Sequence, residues 1–143
     1  MKQLLEKLAS NFDTALPATP SAIEAAEKFF NLKFPADYKE FLQFSNGLEG
    51  ETADSYLVLW STQELIELNQ AYHVNEFISN IILIGSDGAE DAFGFDTTNM
   101  SIVKLPFIGM GYIANEKLSN TFSGFLSSQI KEDKKSFFKR IFG

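Results

Sequence analysis

The chain has 143 residues, 45% of them hydrophobic and 22% charged, with 15 Phe, no Cys and a net charge of −7. That length suits one domain built on a single core, read here as residues 1–143, and the composition is that of a folded globular protein, not a disordered one. Without Cys there is no disulfide, no thiolate metal site and no Cys nucleophile.

The charge is unevenly placed. Between Lys39 and Lys104 there is no Lys or Arg, while eleven Asp and Glu fall in the same interval; the remaining segments carry +4, all of it after residue 103. Such a chain repels nucleic acid over most of its surface and attracts cationic partners.

Taken in chain order, Leu4, Leu5, Leu8 and Phe12 recur at helical spacing and predict an amphipathic helix over residues 2–12. The same stretch interrupts its apolar residues with Glu6 and Lys7, unlike the unbroken core of a signal peptide, and no later run approaches a membrane span. The cytoplasm is the expected compartment, with no membrane partner. "TPSAIEAAEKFF" predicts a second helix, capped by Thr19 with Pro20 at its first position or by Ser21 with Glu24, and carrying Ile23, Ala26, Phe29 and Phe30 on one face. "KFPADYKEFLQFSNG" predicts a third, opened by Pro35, with Tyr38, Phe41, Leu42 and Phe44 inward and a stop at Asn46 and Gly47.

The middle changes character. "SYLVLW" reads as a short strand ending in Trp60, which is expected to seal a strand-to-helix corner, and Ser61 with Glu64 opens a helix containing Leu65, Ile66 and Leu68. "NIILI", "AFGFDT" and "SIVKLPF" predict three strands, the last placed at an edge or ended early by Pro106. Their short joins require antiparallel pairing. A closing helix is expected from Leu118 through Phe122, Phe125, Leu126 and Ile130, with "KKSFFKRIFG" adding a basic, Phe-rich helical stripe. The fold class is α+β, with N-terminal helices and a C-terminal helix packed on a mainly antiparallel sheet.

The stretch richest in chemical groups is "ILIGSDGAEDAFGFDT". Asp87, Glu90 and Asp91 supply hard oxygen ligands close together, with Asp96 just beyond them. The spacing fails the calcium-loop pattern at Ala89 and Ala92, so no metal site is assigned. A small hydrolase using Asp87, Glu90, Asp91 or Asp96 is the enzymatic alternative, but acids in one exposed loop do not imply two carboxylates held around a substrate. "GMGYIA" matches a dinucleotide glycine pattern without the strand and helix that give it meaning, and lone His73 has no nucleophile motif beside it. No catalytic residue and no cofactor is assigned. The loop is read as a hairpin tip, with glycines 85 and 88 permitting the turn.

Three stretches together resemble one family. "LPATPSAIEAAEKFFNLKFPADYKEFLQFSNG" is similar to the opening of SUKH superfamily domains, the likeness being carried by Glu27, Pro35, Tyr38, Phe41, Leu42, Asn46 and Gly47. "ILIGSDGAEDAFGFDT" resembles that family's Gly-rich hairpin and "TFSGFLSSQI" its closing helix, so that the resemblance spans about residues 16 to 130. The chain departs from it in the Phe-rich basic tail and in the uncharged Ser-Gly of the last motif. The resemblance implies an α+β protein-binding module without catalytic residues: in bacteria commonly an immunity protein against a cognate toxin, often a nuclease, and in eukaryotes an interaction module of cell-wall regulation. Both readings fit the acidic middle, whose candidate partner-binding residues are Glu49, Glu51, Asp54, Asp87, Glu90 and Asp91. The expected partner is a basic protein.

Overall fold

A computed structural model of the chain describes residues 1–130, which form six helices and seven strands. The expected helix of the basic Phe-rich tail lies outside the described residues.

The first helix, α1 (Lys2–Asn11), buries Leu8 and delivers Phe12 to the core before the two-residue strand β1 (Asp13–Thr14). Helix α2 (Pro20–Phe30) takes the Thr19 cap, whose Oγ1 accepts from the Ala22 N–H at 3.1 Å, in preference to the Ser21–Glu24 alternative. Pro20 sits where a missing N–H is harmless. The expected apolar face is only partly buried: Ile23 and Ala26 are inside, Phe30 is half-buried and Phe29 is exposed.

Glu27 occupies that buried face, and the fold explains why. Its Oε2 accepts from the Phe34 N–H at 2.7 Å and the Lys39 ammonium lies 3.9 Å from Oε1, so the carboxylate ties the end of α2 to the entry of helix α3 (Ala36–Phe44). A buried carboxylate is tolerated when it is paired in this way. In α3 the residues Tyr38, Phe41 and Leu42 are buried, as their spacing predicts, and Phe44 is half-buried. Gly47 follows at φ +96°, a left-handed geometry that side chains resist. Asn46 beside it accepts the Thr62 N–H at 2.8 Å and so caps a later helix.

Strands β2 (Leu48–Glu51), β3 (Tyr56–Leu59), β4 (Ile81–Ser86), β5 (Asp91–Asp96), β6 (Ser101–Pro106) and β7 (Glu116–Ser119) join β1 in one antiparallel sheet whose strand order follows the chain. Helices α2 and α3 lie between β1 and β2, and α4 (Thr62–Ala71) with the short α5 (Val74–Phe77) between β3 and β4. Helix α4 carries the expected reciprocal Ser61–Glu64 capping box, and Trp60 is buried at its entry.

One of the two readings of Pro106 and the start of the closing helix need correction. Pro106 ends β6 without putting it at an edge, because β7 pairs on its outer side through Ile102, Val103 and Lys104. Leu118 belongs to that strand, so the closing helix α6 (Phe122–Gln129) begins later, at a Thr121 cap accepting the Gly124 N–H. Strands β1, β2 and β7 were not anticipated, being two to four residues long and without an alternating apolar pattern.

On β5, Phe93 and Phe95 point to the same side and meet α6 and α3: Phe93 lies 5.1 Å from the Phe125 ring, and Phe95 lies 5.1 Å from Tyr38 and 6.1 Å from Phe122. Tyr38 is packed edge-on against Phe34, Phe95 and Phe122, and its hydroxyl has no partner. Burial pushes that phenol far above its ordinary pKa.

One polar side chain resolves the sheet's weakest point. Strand β3 pairs with β4 only at Val58–Ser86 and Leu59–Gly85; Trp60 then donates to the Ile84 carbonyl at 2.9 Å and the chain departs into α4. Leu83, the next position of β4 on that edge, would be left without a neighbour. Buried Asn69 replaces the missing strand: its Oδ1 accepts from the Leu83 N–H and its Nδ2 donates to the Leu83 carbonyl, both at 2.9 Å, with a second donation to Leu65 at 2.7 Å. Asn69→Ala would leave a buried donor and acceptor unpaired, so urea unfolding should show a loss of about 2–4 kcal/mol, more than an exposed Gln70→Ala control.

Candidate functional site

The six acids flagged in the sequence lie in two turns or on the strands that flank them, and strand register decides how those turns relate. Val58 pairs with Ser86, so the start of β3 lies beside the end of β4, and the β2–β3 turn and the β4–β5 tip emerge at the same end of the sheet. Tyr56 lies between them. Its hydroxyl donates to Glu49 Oε2 at 2.7 Å, while its ring lies under Gly88 of the tip, where an added Cβ would sit 3.2 Å from a ring carbon.

Cross-strand partners share a face of a sheet. Glu51 stands opposite Tyr56, Glu49 opposite Val58 on one side and Asp13 on the other, so Asp13, Glu49, Glu51 and Tyr56 line one face near the edge. The Glu49 hydrogen bond and the charges of Glu49, Asp13 and Glu51 hold the Tyr56 phenol above its usual pKa. Neither Asp13 nor Tyr56 was singled out in the sequence; a two-residue strand gives no periodic signal, and Tyr56 read only as a strand former. Asp54 is exposed in the turn that Thr52 closes, its backbone N–H donating to the Ser55 carbonyl and its Oγ1 accepting from the Ser55 N–H.

The hairpin tip is shorter than the sequence suggests. Strands run through Ser86 and restart at Asp91, leaving residues 87–90, and Gly85 is a strand residue, not a turn residue. A Cβ there would lie 2.1 Å from the Val58 carbonyl, so Gly85 allows β3 to approach, while Gly88 at φ +78° makes the turn. Asp87 is itself part of the turn: its Oδ1 accepts from the N–H groups of Ala89 at 2.9 Å and Asp91 at 3.1 Å. Glu90 is exposed. Half-buried Asp91 precedes Ala92, which pairs with Ser86 on the Tyr56 side, so alternation turns Asp91 toward the Phe93 side and away from Glu49 and Glu51.

Asp96 does not join these acids. It stands at the opposite end of β5, about 17 Å away at ~3.4 Å per residue, beyond the reach of a cooperating carboxylate pair. Its Oδ1 accepts from the Thr98 hydroxyl at 2.6 Å, the Thr98 N–H at 3.0 Å and the Asn80 amide at 3.3 Å, which together secure the β5–β6 turn. Those bonds, Thr98's foremost, hold its pKa below the ordinary value. Among the described residues no group of three or more His, Asp or Glu could hold a metal ion. His73 is exposed, with its Nδ1 3.7 Å from Glu76, and "GMGYIA" lies in the β6–β7 connection with a strand after it, not a helix.

The scaffold under these turns is also what the family comparison detects. Residues 17–128, from just before α2 almost to the end of α6, match the SMI1 / KNR4 family (SUKH-1). The chain belongs to that family. No curated protein matches it. The residues that carried the sequence resemblance are structural: Glu27 and Asn46 tie helices together, Tyr38, Phe41 and Leu42 fill the core, and Gly47 makes a turn. No helix among the described residues of this SUKH-1 chain is long and apolar enough to cross a membrane.

Two outcomes follow for the acids. Changing Asp87, Glu90 and Asp91 together to Asn, Gln and Asn should leave the melting temperature nearly unchanged, since an amide at position 87 keeps an accepting oxygen, whereas Asp87→Ala should lower stability by about 1 kcal/mol in urea titrations. Asp96 has a folded-state pKa below its ordinary 3.8, so its stabilisation is complete above that value and is lost as pH falls through the depressed one. Unfolding of wild type and Asp96→Asn from about pH 6 to pH 2 should show a stability gap that closes below about pH 4.

Proposed function

We propose that this SUKH-1 chain is a non-catalytic protein-binding module of the immunity type, acting in the cytoplasm to neutralise a cognate basic toxin. The observation that carries the reading is the meeting of two acid-bearing turns at one end of the sheet, with Tyr56 joined to Glu49 of β2 beside one and packed under Gly88 of the other. Glu49, Glu51, Asp54, Asp87 and Glu90 are assigned to the surface that meets the toxin, with Asp91 adding charge at its border on the Phe93 side. Family membership supports a binding role, and the stretch without Lys or Arg from residue 40 to residue 103 supports a cationic partner.

A nuclease is the toxin class that this charge suits best. Its groove must attract phosphate, and a row of carboxylates can occupy the same positive field. The contribution of exposed carboxylates falls chiefly on encounter, because they act at long range through water and are screened by salt.

The reading expects a toxin reading frame adjacent to this chain's gene, and the test uses its product, with association and dissociation rates measured at two salt concentrations. Replacing the six acids by their amides should slow association roughly tenfold or more at low salt and flatten its salt dependence, with a smaller change in dissociation. Unaltered association in the six-fold variant would overturn the acidic-surface assignment.

A further inference from the structure

The connection between β6 and β7, residues 107–115, shows three large apolar side chains to solvent. Ile108 is 89% exposed, Tyr112 87% and Ile113 57%. Connections ordinarily present polar residues to water, and grouped exposed apolar side chains mark interaction surfaces.

This segment is not loose chain. Phe107 donates its N–H to the Glu90 carbonyl at 3.0 Å and stacks on Tyr72 at the end of α4, with ring centroids 4.8 Å apart. Met110 is buried in the core. Gly111, at φ +89°, lies so close to α5 that an added Cβ would be 2.7 Å from the Phe77 carbonyl. The N–H groups of Tyr112 and Ile113 both donate to the Gly109 carbonyl, closing a turn. Pinned at Phe107, Met110 and Gly111, the strap holds Ile108, Tyr112 and Ile113 outward on a fixed frame, and binding loses little freedom there.

Its position selects the partner. Asp91 pairs with Pro106, so the strap leaves β6 at the end of the sheet where the two acidic turns emerge, and its hydrogen bond to Glu90 ties it to the hairpin tip. The nearest cation of β6, Lys104, is engaged by Glu116 at 3.4 Å. A second copy of the chain would bring like acidic tips together, whereas a cationic surface with an apolar recess would match both parts.

We infer that Ile108, Tyr112 and Ile113 of the strap form the apolar centre of the toxin-binding surface, with the acidic hairpin tip beside it as charged rim. This rests on the immunity reading above and adds a division of labour: the rim sets the rate of encounter, and the strap sets the lifetime of the complex. Buried aromatic and aliphatic anchors at the centre of an interface govern dissociation, while rim charges govern association.

The experiment compares wild type, the six-amide variant and a combined Ile108→Ser, Tyr112→Ser, Ile113→Ser variant against the product of the expected adjacent toxin reading frame. The combined strap variant should keep its melting temperature, because none of the three side chains is in the core, and should dissociate roughly a hundredfold faster with association nearly unchanged. Wild-type dissociation in the strap variant, with wild type binding normally, overturns the strap and leaves the immunity reading standing. A wild-type chain that fails to bind overturns both. Sedimentation of the chain alone supplies the remaining arm: a dimer abolished by the strap variant would assign these residues to self-association and overturn the proposal.

Discussion

The relation between β3 and β4, only two residue pairs wide, governs what the rest of the molecule can present. Val58–Ser86 and Leu59–Gly85 set the level at which the β2–β3 turn stands beside the β4–β5 tip, and the Trp60–Ile84 hydrogen bond marks the last point of contact. A slip of one residue would turn every β3 side chain to the other face. Leu57 and Leu59 would leave the core, and Tyr56 would lose both Glu49 and Gly88. Asn69 protects this short junction by satisfying Leu83 where the strand has gone, and Gly85 protects it by leaving room for the Val58 carbonyl.

Above the sheet, an aromatic cluster and a few buried polar bonds do different jobs. Tyr38, Phe41, Phe93, Phe95, Phe122 and Phe125 bring α3 and α6 onto β5, and their contacts are non-directional enough to allow several arrangements. Hydrogen bonds select one. Asp37 accepts from its neighbour Tyr38 and, across 86 residues, from the Ser123 N–H in the first turn of α6; Glu27 and Asn46 make comparable ties at the start of α3 and of α4. Among the buried side chains of the described residues, the unpartnered Tyr38 hydroxyl is the exception.

The acids divide by what their oxygens accept. Asp87 and Asp96 organise turns at opposite ends of the sheet, and their charges are partly engaged by nearby N–H and O–H groups. Glu49 fixes Tyr56 through one oxygen. Part of the surface charge of this SUKH-1 chain is therefore built into its turn and strand geometry, which holds these three carboxylates in place. The strap beside the hairpin tip adds exposed apolar side chains to that end of the sheet.

Composition and periodicity determined much of this protein by themselves. The α+β architecture, the Ser61 cap, the α2 start at Thr19 or Ser21, the buried Tyr38–Phe41–Leu42 face, the Trp60 corner and the β4–β5 hairpin were legible because each depends on neighbours three or four residues away, or on two long apolar strands. The SUKH likeness was legible for the same reason, since its motif is a helix face with a stop. Strands β1, β2 and β7 were not, because short exposed strands acquire their structure from the partner they pair with. Tertiary structure alone brought Tyr56 between the two acidic turns, turned Asp91 away from Glu49, sent Asp96 to the far end of β5 and set the strap beside Glu90. Those are relations between residues distant in the chain, and they exist only once backbone hydrogen bonds have fixed the register of one strand against the next.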